Sequence, residues 1–572
     1  MVRAVFTLTM FSVLERALGF GFKIYLSREL GAAALGIYQV ALSFFFVLVT
    51  LVTSGVPLIS AKLTARFRAE KDYRSEFSVT AAALTVNVAV SAVVCLVVFA
   101  VRDRVGALFA DSLSMSLLLV MLPAVVLSGV YASFRGVLWG RKLYTAVSVV
   151  EIVEQISRIA VTVALFSLGF DKLRTTAFAM TLGCAVSCLA CVAYYFCKKG
   201  RLADPRPVLK PLLRSSAPIT MVRASSSVLN SLVALAVPFL LSLNGATNEE
   251  ALYTYGASVG MAMPLLYIPI TVVGSLAFVM IPTLSAAVAN KDTADVHRQV
   301  SAAISFAIYV AALFVPMFYA LGEPIGQLVY DNVDSGRFLS AASWLLIPIA
   351  VENITSSMMN SLDLERTSFI NYAIGSAVLF AILFAFCKKF DINVYAWATG
   401  ISLTLSGILD IAAIRRKTGV KLDFVWALVK SILLIIPAIV LNRAFYLGFR
   451  FLPPLLRTGC TCLISLLFMF GLNYLFGTFD ISLVVSRKRR INPGTERKDG
   501  MSERRARHDA RPHGRAGTDV KPSPGTRPKR TAQTARAAVR DTAAGNACGN
   551  TAHRRGRLFS RRGGQTRTAG RP

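Results

Sequence analysis

Long apolar stretches separated by short polar segments fill about the first 480 residues of the chain. A helix needs about 20 mostly apolar residues to cross the roughly 30 Å hydrocarbon core of a bilayer. Fourteen stretches meet this length, so the pattern predicts an all-α, polytopic membrane protein. The predicted spans run over about 5–26, 36–60, 77–100, 113–134, 146–168, 175–197, 216–243, 251–285, 299–320, 338–361, 368–387, 393–414, 424–446 and 454–477.

Composition separates this apolar body from a basic tail. Of 572 residues, 55% are hydrophobic and 16% charged, with a net charge of +31, whereas soluble domains carry roughly 25% charged residues. Residues 486–572 hold 24 Lys and Arg against 6 Asp and Glu, leaving 38 and 25 for residues 1–485. With few apolar residues to bury, the tail is predicted to be a disordered cytoplasmic segment without a specific nucleic-acid partner. A lipid- or partner-binding role and a shifted reading frame remain alternatives.

The distribution of Lys and Arg among the short loops predicts the orientation. With the N-terminus inside, alternate loops hold 22 basic residues inside and 11 outside. Cytoplasmic loops of membrane proteins carry this excess. An even number of spans then places the C-terminus inside as well.

The two halves of the body are similar at an offset of 220–225 residues. The matching pairs are Pro57 to Ala61 with Pro282 to Ala286, Val105 to Asp111 with Ile325 to Asp331, Pro123 with Pro348, and Arg141 with Arg366. Such parallel repeats form two pseudo-symmetric lobes with a substrate site between them. We therefore predict an N-terminal lobe at 1–214, a C-terminal lobe at 215–420, two further helices at 421–485 and the tail at 486–572.

Several motifs resemble one transporter family. They are Arg16 to Phe20, Gly36-Ile-Tyr38, Phe134-Arg135-Gly136 with Gly140-Arg141, Glu154 to Arg158, Tyr255-Gly256 through Pro264, and Ile281 to Ser285. Together they resemble the polysaccharide-transporter branch of the multidrug/oligosaccharidyl-lipid/polysaccharide (MOP, MATE-like) superfamily. Within that branch they are most similar to the stage V sporulation protein B subgroup, and lipid II flippases and MATE drug exporters are more distant.

The resemblance implies a MATE-like flippase with fourteen helices in two six-helix lobes plus two C-terminal helices. Members of the family move polyprenyl-pyrophosphate-linked saccharides across the bacterial cytoplasmic membrane. We accordingly expect a monomer in the bilayer that binds a lipid-linked saccharide of the cell envelope, of the lipid II or polysaccharide type. We expect no metal and no cofactor, and proton or sodium coupling stays open.

Cations within the predicted spans are the candidate substrate ligands. A charge in the bilayer costs about 2.5–3.5 kcal/mol on insertion scales, so each needs a reason. Arg16 and Lys23 lie seven residues apart on one face of the first helix, and Arg223 lies in the helix that opens the second repeat. Arginine matches the oxygens of a pyrophosphate. The alternatives are an ion pair of Arg16 with Glu15 and an interfacial position for the Lys23 ammonium.

Carboxylates within the spans are candidates for ion coupling or structure. Glu154, Glu352 and Asp410 are the residues that we single out. Glu154 stands four residues before Arg158, so an internal ion pair is favoured there over contact with substrate. A driven carrier needs a carboxylate whose occupancy favours one conformation, and the sequence leaves open which one acts.

Three other functions compete with the flippase. A multidrug or cation antiporter of the same fold would need an acidic cavity, against which the candidate arginines argue. A membrane enzyme would need an external loop with paired carboxylates or a metal motif, and the predicted outside loops are short, so we expect no enzyme. A non-transporting scaffold in envelope or spore-wall synthesis stays open.

Overall fold

The computed structural model describes residues 2–106, 109, 111–290, 292–419 and 425–476. Within these ranges every regular element is helical, which confirms the predicted all-α class. The α-helices are α1 (Val2–Thr53), α2 (Gly55–Ala69), α3 (Tyr73–Ala100), α4 (Arg102–Gly106), α5 (Ser112–Gly140), α6 (Tyr144–Ser167), α7 (Lys172–Cys197), α8 (Arg206–Leu243), α9 (Asn248–Tyr255), α10 (Met263–Ala289), α11 (Thr293–Tyr330), α12 (Val333–Ala342), α13 (Leu346–Ser361), α14 (Glu365–Ala385), α15 (Ile392–Thr418), α16 (Val425–Gly448) and α17 (Pro454–Leu475). A π-helix (Gly256–Ala262) joins α9 to α10, and two short 3-10 turns cover Ser343–Leu345 and Cys387–Lys389. The predicted disordered tail lies outside the described residues.

Twelve helical stretches of the described chain are long and apolar enough to cross a membrane. The first, Val13–Ala69, has 57 residues. As one straight helix it would be about 85 Å long, more than twice the hydrocarbon thickness. Helix α6 has 24 residues but falls outside the twelve, because every 18-residue stretch of it contains three charged residues, Glu151, Glu154 and Arg158. Counting the first stretch as two passes and adding α6 gives the predicted fourteen.

The chain reverses direction at Gly31 inside α1. Gly31 has φ 75° and ψ 172°, a backbone conformation that breaks the helix. The Tyr25 ring stacks on Phe166 near the end of α6, and the Ser114 hydroxyl near the start of α5 donates to the Ile37 carbonyl. Helices α5 and α6 are joined by a tight turn, so the end of α6 and the start of α5 lie on one side of the bundle. The chain therefore reaches that side before Gly31 and returns after it.

Two sides of the bundle are useful landmarks. We call the side with the turns at 70–72, 141–143 and 198–205 the basic face, and the side with the turns at 30–32, 168–171 and 331–332 the opposite face. Three turns of the basic face each place a lysine in the left-handed region, with φ of 60° at Lys71, 62° at Lys142 and 57° at Lys199. The assignment of the basic face to the cytoplasm stays a prediction.

Short polar caps fix where the helices begin. The Asp72 carboxylate accepts a hydrogen bond from the Ser75 amide at 3.0 Å at the start of α3, and its hydrogen bonds with Ser75 lower the pKa of Asp72. At the start of α9, Thr247 and Glu250 exchange side-chain and backbone hydrogen bonds in a capping box. These caps satisfy amide groups that the helices leave without partners.

A buried ion pair anchors the basic face of the first helices. The Arg141 Nε atom at the end of α5 lies 2.6 Å from the Glu76 carboxylate in α3, and the two side chains are 5% and 1% exposed. Arg68 at the end of α2 adds a second contact to Glu76 at 3.2 Å. The Arg141 guanidinium also stacks on the Tyr195 ring of α7, 4.8 Å from its centroid. One cluster thus ties four helices together.

We call α1–α7 the first helix group and α8–α15 the second helix group.

Candidate functional site

A charged cluster lies between the first half of α1 and α6. The Glu15 carboxylate lies within electrostatic range of Glu151, Glu154, Arg16 and Arg158. The helices approach closely here, because the Cβ position of Gly19 is 3.7 Å from the Gln155 amide nitrogen. Arg16 therefore lies beside α6. Glu15, the alternative ion-pair partner of Arg16, belongs to the same cluster. The cluster brings together Arg16 and Glu154 of the predicted site residues.

Glu151 holds the end of this cluster nearest the basic face. Its carboxylate accepts a hydrogen bond from the Tyr131 hydroxyl at 3.1 Å and lies 3.6 Å from the Arg135 guanidinium. The Arg135 guanidinium also lies over the Tyr131 and Trp139 rings, 5.3 and 4.9 Å from their centroids. Arg135 of the transporter-like motif is thus an ion-pair partner within the first helix group.

Arg158 has partners other than the carboxylate predicted for it. Its guanidinium donates one hydrogen bond to the Gln155 side-chain oxygen and one to the Met180 sulfur at 2.8 Å. Among the described ion pairs, none joins Glu154 to Arg158, so the favoured internal pair is absent. The Glu154 carboxylate acts on the cluster through space.

Arg16 and Lys23 share one side of α1, as their spacing predicted. Arg16 is exposed and Lys23 is half-buried. Within the described part of the chain, neither side chain has an ion pair or hydrogen bond, so both cations are available to an anion. Their contact with a substrate stays a prediction.

Arg223 lies in α8, where this helix runs antiparallel to the chain after Gly31. Its exposed side chain flanks the row formed by Ser227 and Ser231, which hydrogen-bond to Thr50 and to the Ser43 carbonyl at 3.0 and 2.8 Å. In the described residues Arg223 has no ion-pair partner. The structure therefore places Arg16 on the α6 side of the first helix group and Arg223 at the border between the groups, and no contact among the described residues links the two side chains.

The second helix group holds the other two predicted carboxylates together. Asp410 is 2% exposed and accepts hydrogen bonds from the Asn371 amide at 2.8 Å and the Ser368 hydroxyl at 3.5 Å. Glu352 of α13 lies within electrostatic range of Asp410. No described Lys or Arg forms an ion pair with either carboxylate. Neutral side chains therefore supply the hydrogen bonds that Asp410 accepts.

A tyrosine connects this acidic pair to α8. Tyr372 lies within electrostatic range of Glu352, and its hydroxyl donates to the Asn230 side-chain oxygen at 2.9 Å. Asn230 stands seven residues after Arg223, on the same side of α8. The Arg223 side of α8 therefore lies next to α14 of the second helix group.

The two groups meet near the opposite face in a reciprocal crossing. A Cβ atom on Gly36 would lie 2.0 Å from the Leu252 carbonyl oxygen, and one on Gly256 would lie 1.9 Å from the Ala32 carbonyl oxygen. Gly36 and Gly256 are 220 residues apart, as are Ala32 and Leu252, which is the offset of the repeat. Equivalent residues of the two repeats thus contact each other as a pseudo-twofold axis requires, and only glycine permits this approach.

Arg28 adds a second contact between the groups at the opposite face. Its guanidinium donates to the carbonyl oxygens of Leu328 and Val329, with an Nε to oxygen distance of 2.7 Å for Val329. These carbonyls end α11, where a cation also interacts favourably with the helix dipole. On the basic-face side, the described hydrogen bonds between the groups run through α8, including the Gly55 amide to Thr220 at 3.1 Å.

Sequence reasoning missed some partners of these sites. Arg28, Asn371 and Tyr372 were not among the candidates, although Asn371 and Tyr372 are adjacent polar residues within an apolar span. That break in the apolar run was the available signal. The acceptors of Arg28 are backbone carbonyls about 300 residues away, which no sequence pattern indicates.

Comparison with known proteins fits this architecture. A family model described as Polysaccharide biosynthesis protein matches residues 1–288, just over half of the chain. The chain belongs to this family. The chain is also similar to two proteins of Bacillus subtilis (strain 168). Stage V sporulation protein B is 20% identical over 421 residues, covering 71% of this chain and 81% of that protein. An uncharacterized membrane protein, YabM, is 22% identical over 434 residues, covering 73% and 80%.

Solved structures with a similar fold include a lipid II flippase and a multidrug transporter of the MOP superfamily. The lipid II flippase MurJ in an inward closed conformation aligns with a TM-score of 0.64 at 14% identity, covering 82% of this chain and 99% of that one. A multidrug resistance MATE family transporter in an inward-facing conformation aligns with a TM-score of 0.59 at 17% identity, covering 73% and 98%. These likenesses confirm the predicted MATE-like membrane fold.

Proposed function

We propose that this protein is a flippase for a polyprenyl-pyrophosphate-linked saccharide precursor of the cell envelope. The observation that carries the proposal is a pair of exposed arginines, Arg16 and Arg223, on helices of the two groups, neither of which has an ion-pair partner among the described residues. A pyrophosphate brings negative charge and several acceptor oxygens, which guanidinium groups match by forked hydrogen bonds. Membership of the polysaccharide biosynthesis family supports a substrate of this class.

Alternating access would move the substrate. Gly36, Gly256 and Arg28 close the opposite face, whereas the groups are linked through α8 on the basic side. This arrangement suits a carrier that accepts substrate from the basic face. With the basic face in the cytoplasm of a bacterium, saccharide transport would run from the inner to the outer leaflet of the cytoplasmic membrane. Protons or sodium acting at Glu352 and Asp410 are our candidates for coupling, and we propose that the carrier works as a monomer.

A second candidate is a cation antiporter of the same fold. The specific observation in its favour is the acidic pair Glu352 and Asp410, which would suit an organic cation rather than a diphosphate. The exposed Arg16 and Arg223 argue for the flippase. A non-transporting scaffold is the remaining alternative, and only a transport assay separates it from both carriers.

The experiment is flipping of a fluorescent lipid II in proteoliposomes that contain the full chain. We expect the wild type to flip it, and Arg16→Ala and Arg223→Ala each to lower the initial rate about tenfold, because a hydrogen bond to a charged group contributes about 1.5–3 kcal/mol. Arg174→Ala is the matched control, since Arg174 is exposed near the opposite face and should leave the rate unchanged.

The outcomes separate the candidates. A wild type that flips together with two arginine variants that match it would refute the role of the arginines. A wild type that exchanges an organic cation for protons or sodium and flips no lipid II would favour the antiporter. No transport of either compound would favour the scaffold.

A further inference from the structure

A cavity with several charged residues in its lining lies away from the proposed transport site. It has a volume of about 530 Å³ and lies near the opposite face, between α11 and α12 of the second helix group and α16, which follows that group. Tyr319 and Glu323 of α11, Arg337 of α12, and Arg443 and Tyr446 of α16 line it. None of these residues belongs to the Arg16, Arg223 or Glu352 sites. The cavity therefore needs its own explanation.

The two arginines of the cavity differ in their partners. The Arg337 guanidinium lies 3.4 Å from the Glu323 carboxylate and 3.3 Å from that of Asp334, so two carboxylates hold it in place. Arg443 is exposed, and among the described residues it has neither an ion pair nor a hydrogen bond. The charged side chains of the lining and of the residues in direct contact with it are Arg337, Arg443 and Arg457 against Glu323 and Asp334, a net charge of +1. One monovalent anion would neutralise it.

Contacts from α17 support the part of the cavity wall that lies beside Arg443. The Arg457 Nε atom of α17 donates to the Tyr446 carbonyl at 2.7 Å, and the Arg457 guanidinium lies 3.6 Å from the centroid of the Tyr446 ring. Arg457 of the next helix thus contacts both the backbone and the ring of Tyr446 in the lining. The side chain of Arg443, three residues earlier on α16, is therefore presented next to an ordered aromatic surface.

The depth of Arg443 corresponds to the headgroup region of a bilayer. It lies five residues before the end of α16 at Gly448, about 7.5 Å along the helix axis. Around this end the chain exposes Tyr319, Leu447 and Phe451, with Phe451 77% exposed. Aromatic side chains at helix ends are typical of the membrane interface. At this level the abundant anionic groups are lipid phosphates.

We propose that this cavity binds the phosphate of an anionic phospholipid, with Arg443 as the principal ligand and Arg337 as the second. The phosphate would contact the free guanidinium of Arg443, while Glu323 and Asp334 keep Arg337 at the edge of the cavity. A lipid with one net negative charge neutralises the lining, whereas a zwitterionic lipid leaves the +1 uncompensated. The site is separate from the Arg16 and Arg223 positions of the proposed flippase and does not depend on them.

Native mass spectrometry of the full chain, delipidated in detergent and titrated with phosphatidylglycerol, tests the site. We expect Arg443→Gln to weaken the first phosphatidylglycerol adduct about fivefold, the effect of about one charge contact at a membrane surface. Arg450→Gln is the matched control, because Arg450 is an exposed arginine at the same end of α16 that does not line the cavity. It should bind as the wild type does. Phosphatidylcholine should bind more weakly than phosphatidylglycerol to the wild type and equally to the wild type and Arg443→Gln.

Three results would overturn the assignment. These are equal phosphatidylglycerol adducts in wild type and Arg443→Gln, equal binding of phosphatidylcholine and phosphatidylglycerol to the wild type, and displacement of phosphatidylglycerol by an equimolar polyprenyl phosphate. The melting temperature of Arg443→Gln should equal that of the wild type, since Arg443 has no described partner to lose. A failed flipping assay would leave this result unaffected, so the two proposals are refuted separately.

Discussion

The two helix groups bury their carboxylates in opposite ways. In the first group, Glu76 is 1% exposed and lies against Arg141, with Arg68 as a second cation. In the second group, Asp410 is 2% exposed and receives its hydrogen bonds from Asn371 and Ser368, with the carboxylate of Glu352 nearby. A buried charge needs a counter-charge or hydrogen bonds to offset its loss of water. The first group relies mainly on counter-charges, and the second group relies on hydrogen bonds from neutral side chains.

The difference is not dictated by the repeat. Arg141 matches Arg366 at the repeat offset, but Arg366 is exposed, whereas Arg141 is 5% exposed. The first group therefore has a rigid, charge-compensated anchor at the basic face that the second group lacks at the matching position. The second group instead keeps an acidic pair whose charge can change without leaving a cation unpaired. This contrast makes the second group the better candidate for ion-dependent change.

The largest effect should come from breaking the anchor. Glu76→Gln leaves the Arg141 guanidinium buried without a counter-charge, which should lower the free energy of unfolding by about 3–5 kcal/mol. Thermal unfolding of the purified protein in detergent measures it. Glu70→Gln is the control, because Glu70 pairs with Arg66 on the surface and its side chain is 50% exposed. Equal melting of Glu76→Gln and the wild type would show that the pair contributes nothing.

A smaller effect is expected at the crossing of Gly36 and Gly256, where equivalent residues of the two repeats contact each other. Gly36→Ala and Gly256→Ala each place a methyl group within about 2 Å of a carbonyl oxygen of the other group, so each should destabilise the closed opposite face by about 1–3 kcal/mol. Spin labels at positions 103 and 249, in a cysteine-free background, measure the distance between the two groups at the opposite face. Each alanine variant should show a larger fraction of long distances than the wild type.

Gly21→Ala is the control for this crossing, because no atom lies within 4 Å of its Cβ position. The reciprocal geometry predicts the same direction of change for both glycines. A response of only one of them, or of the control as well, would contradict the pseudo-twofold contact.

The smallest effect should come from neutralising the acidic pair. Asp410→Asn keeps a side-chain oxygen for the Asn371 amide and removes the repulsion from Glu352, so the free energy of unfolding should change by less than about 1 kcal/mol. The same thermal unfolding experiment measures it, with Glu352→Gln as the matching variant. A loss as large as that of Glu76→Gln would reveal a cation held by the pair and would remove the contrast between the groups.

Much of the fold could be predicted from residue patterns, because a bilayer requires long apolar helices and little else. The span of α6 was predicted because most of its residues are apolar, although it carries three charges. The pairing of the site residues was harder. Arg158 was expected to pair with Glu154 at helical spacing, but Gln155 and Met180 are its hydrogen-bond partners. Spacing of i and i+4 predicts which residues are neighbours along one helix. It does not predict the Met180 sulfur, which belongs to the neighbouring helix α7.

By itself, the sequence determined that this protein is an all-helical membrane protein with an internal repeat, because apolar length and the recurrence of motifs are properties of the chain alone. Only the tertiary structure decided how its charges are compensated. Arg141 and Glu76 are 65 residues apart, Arg28 and Val329 are 301 residues apart, and Gly36 meets the helix of Gly256 after 220 residues. Such contacts depend on which helix faces come together, and helix packing, unlike helix formation, is not encoded in local spacing.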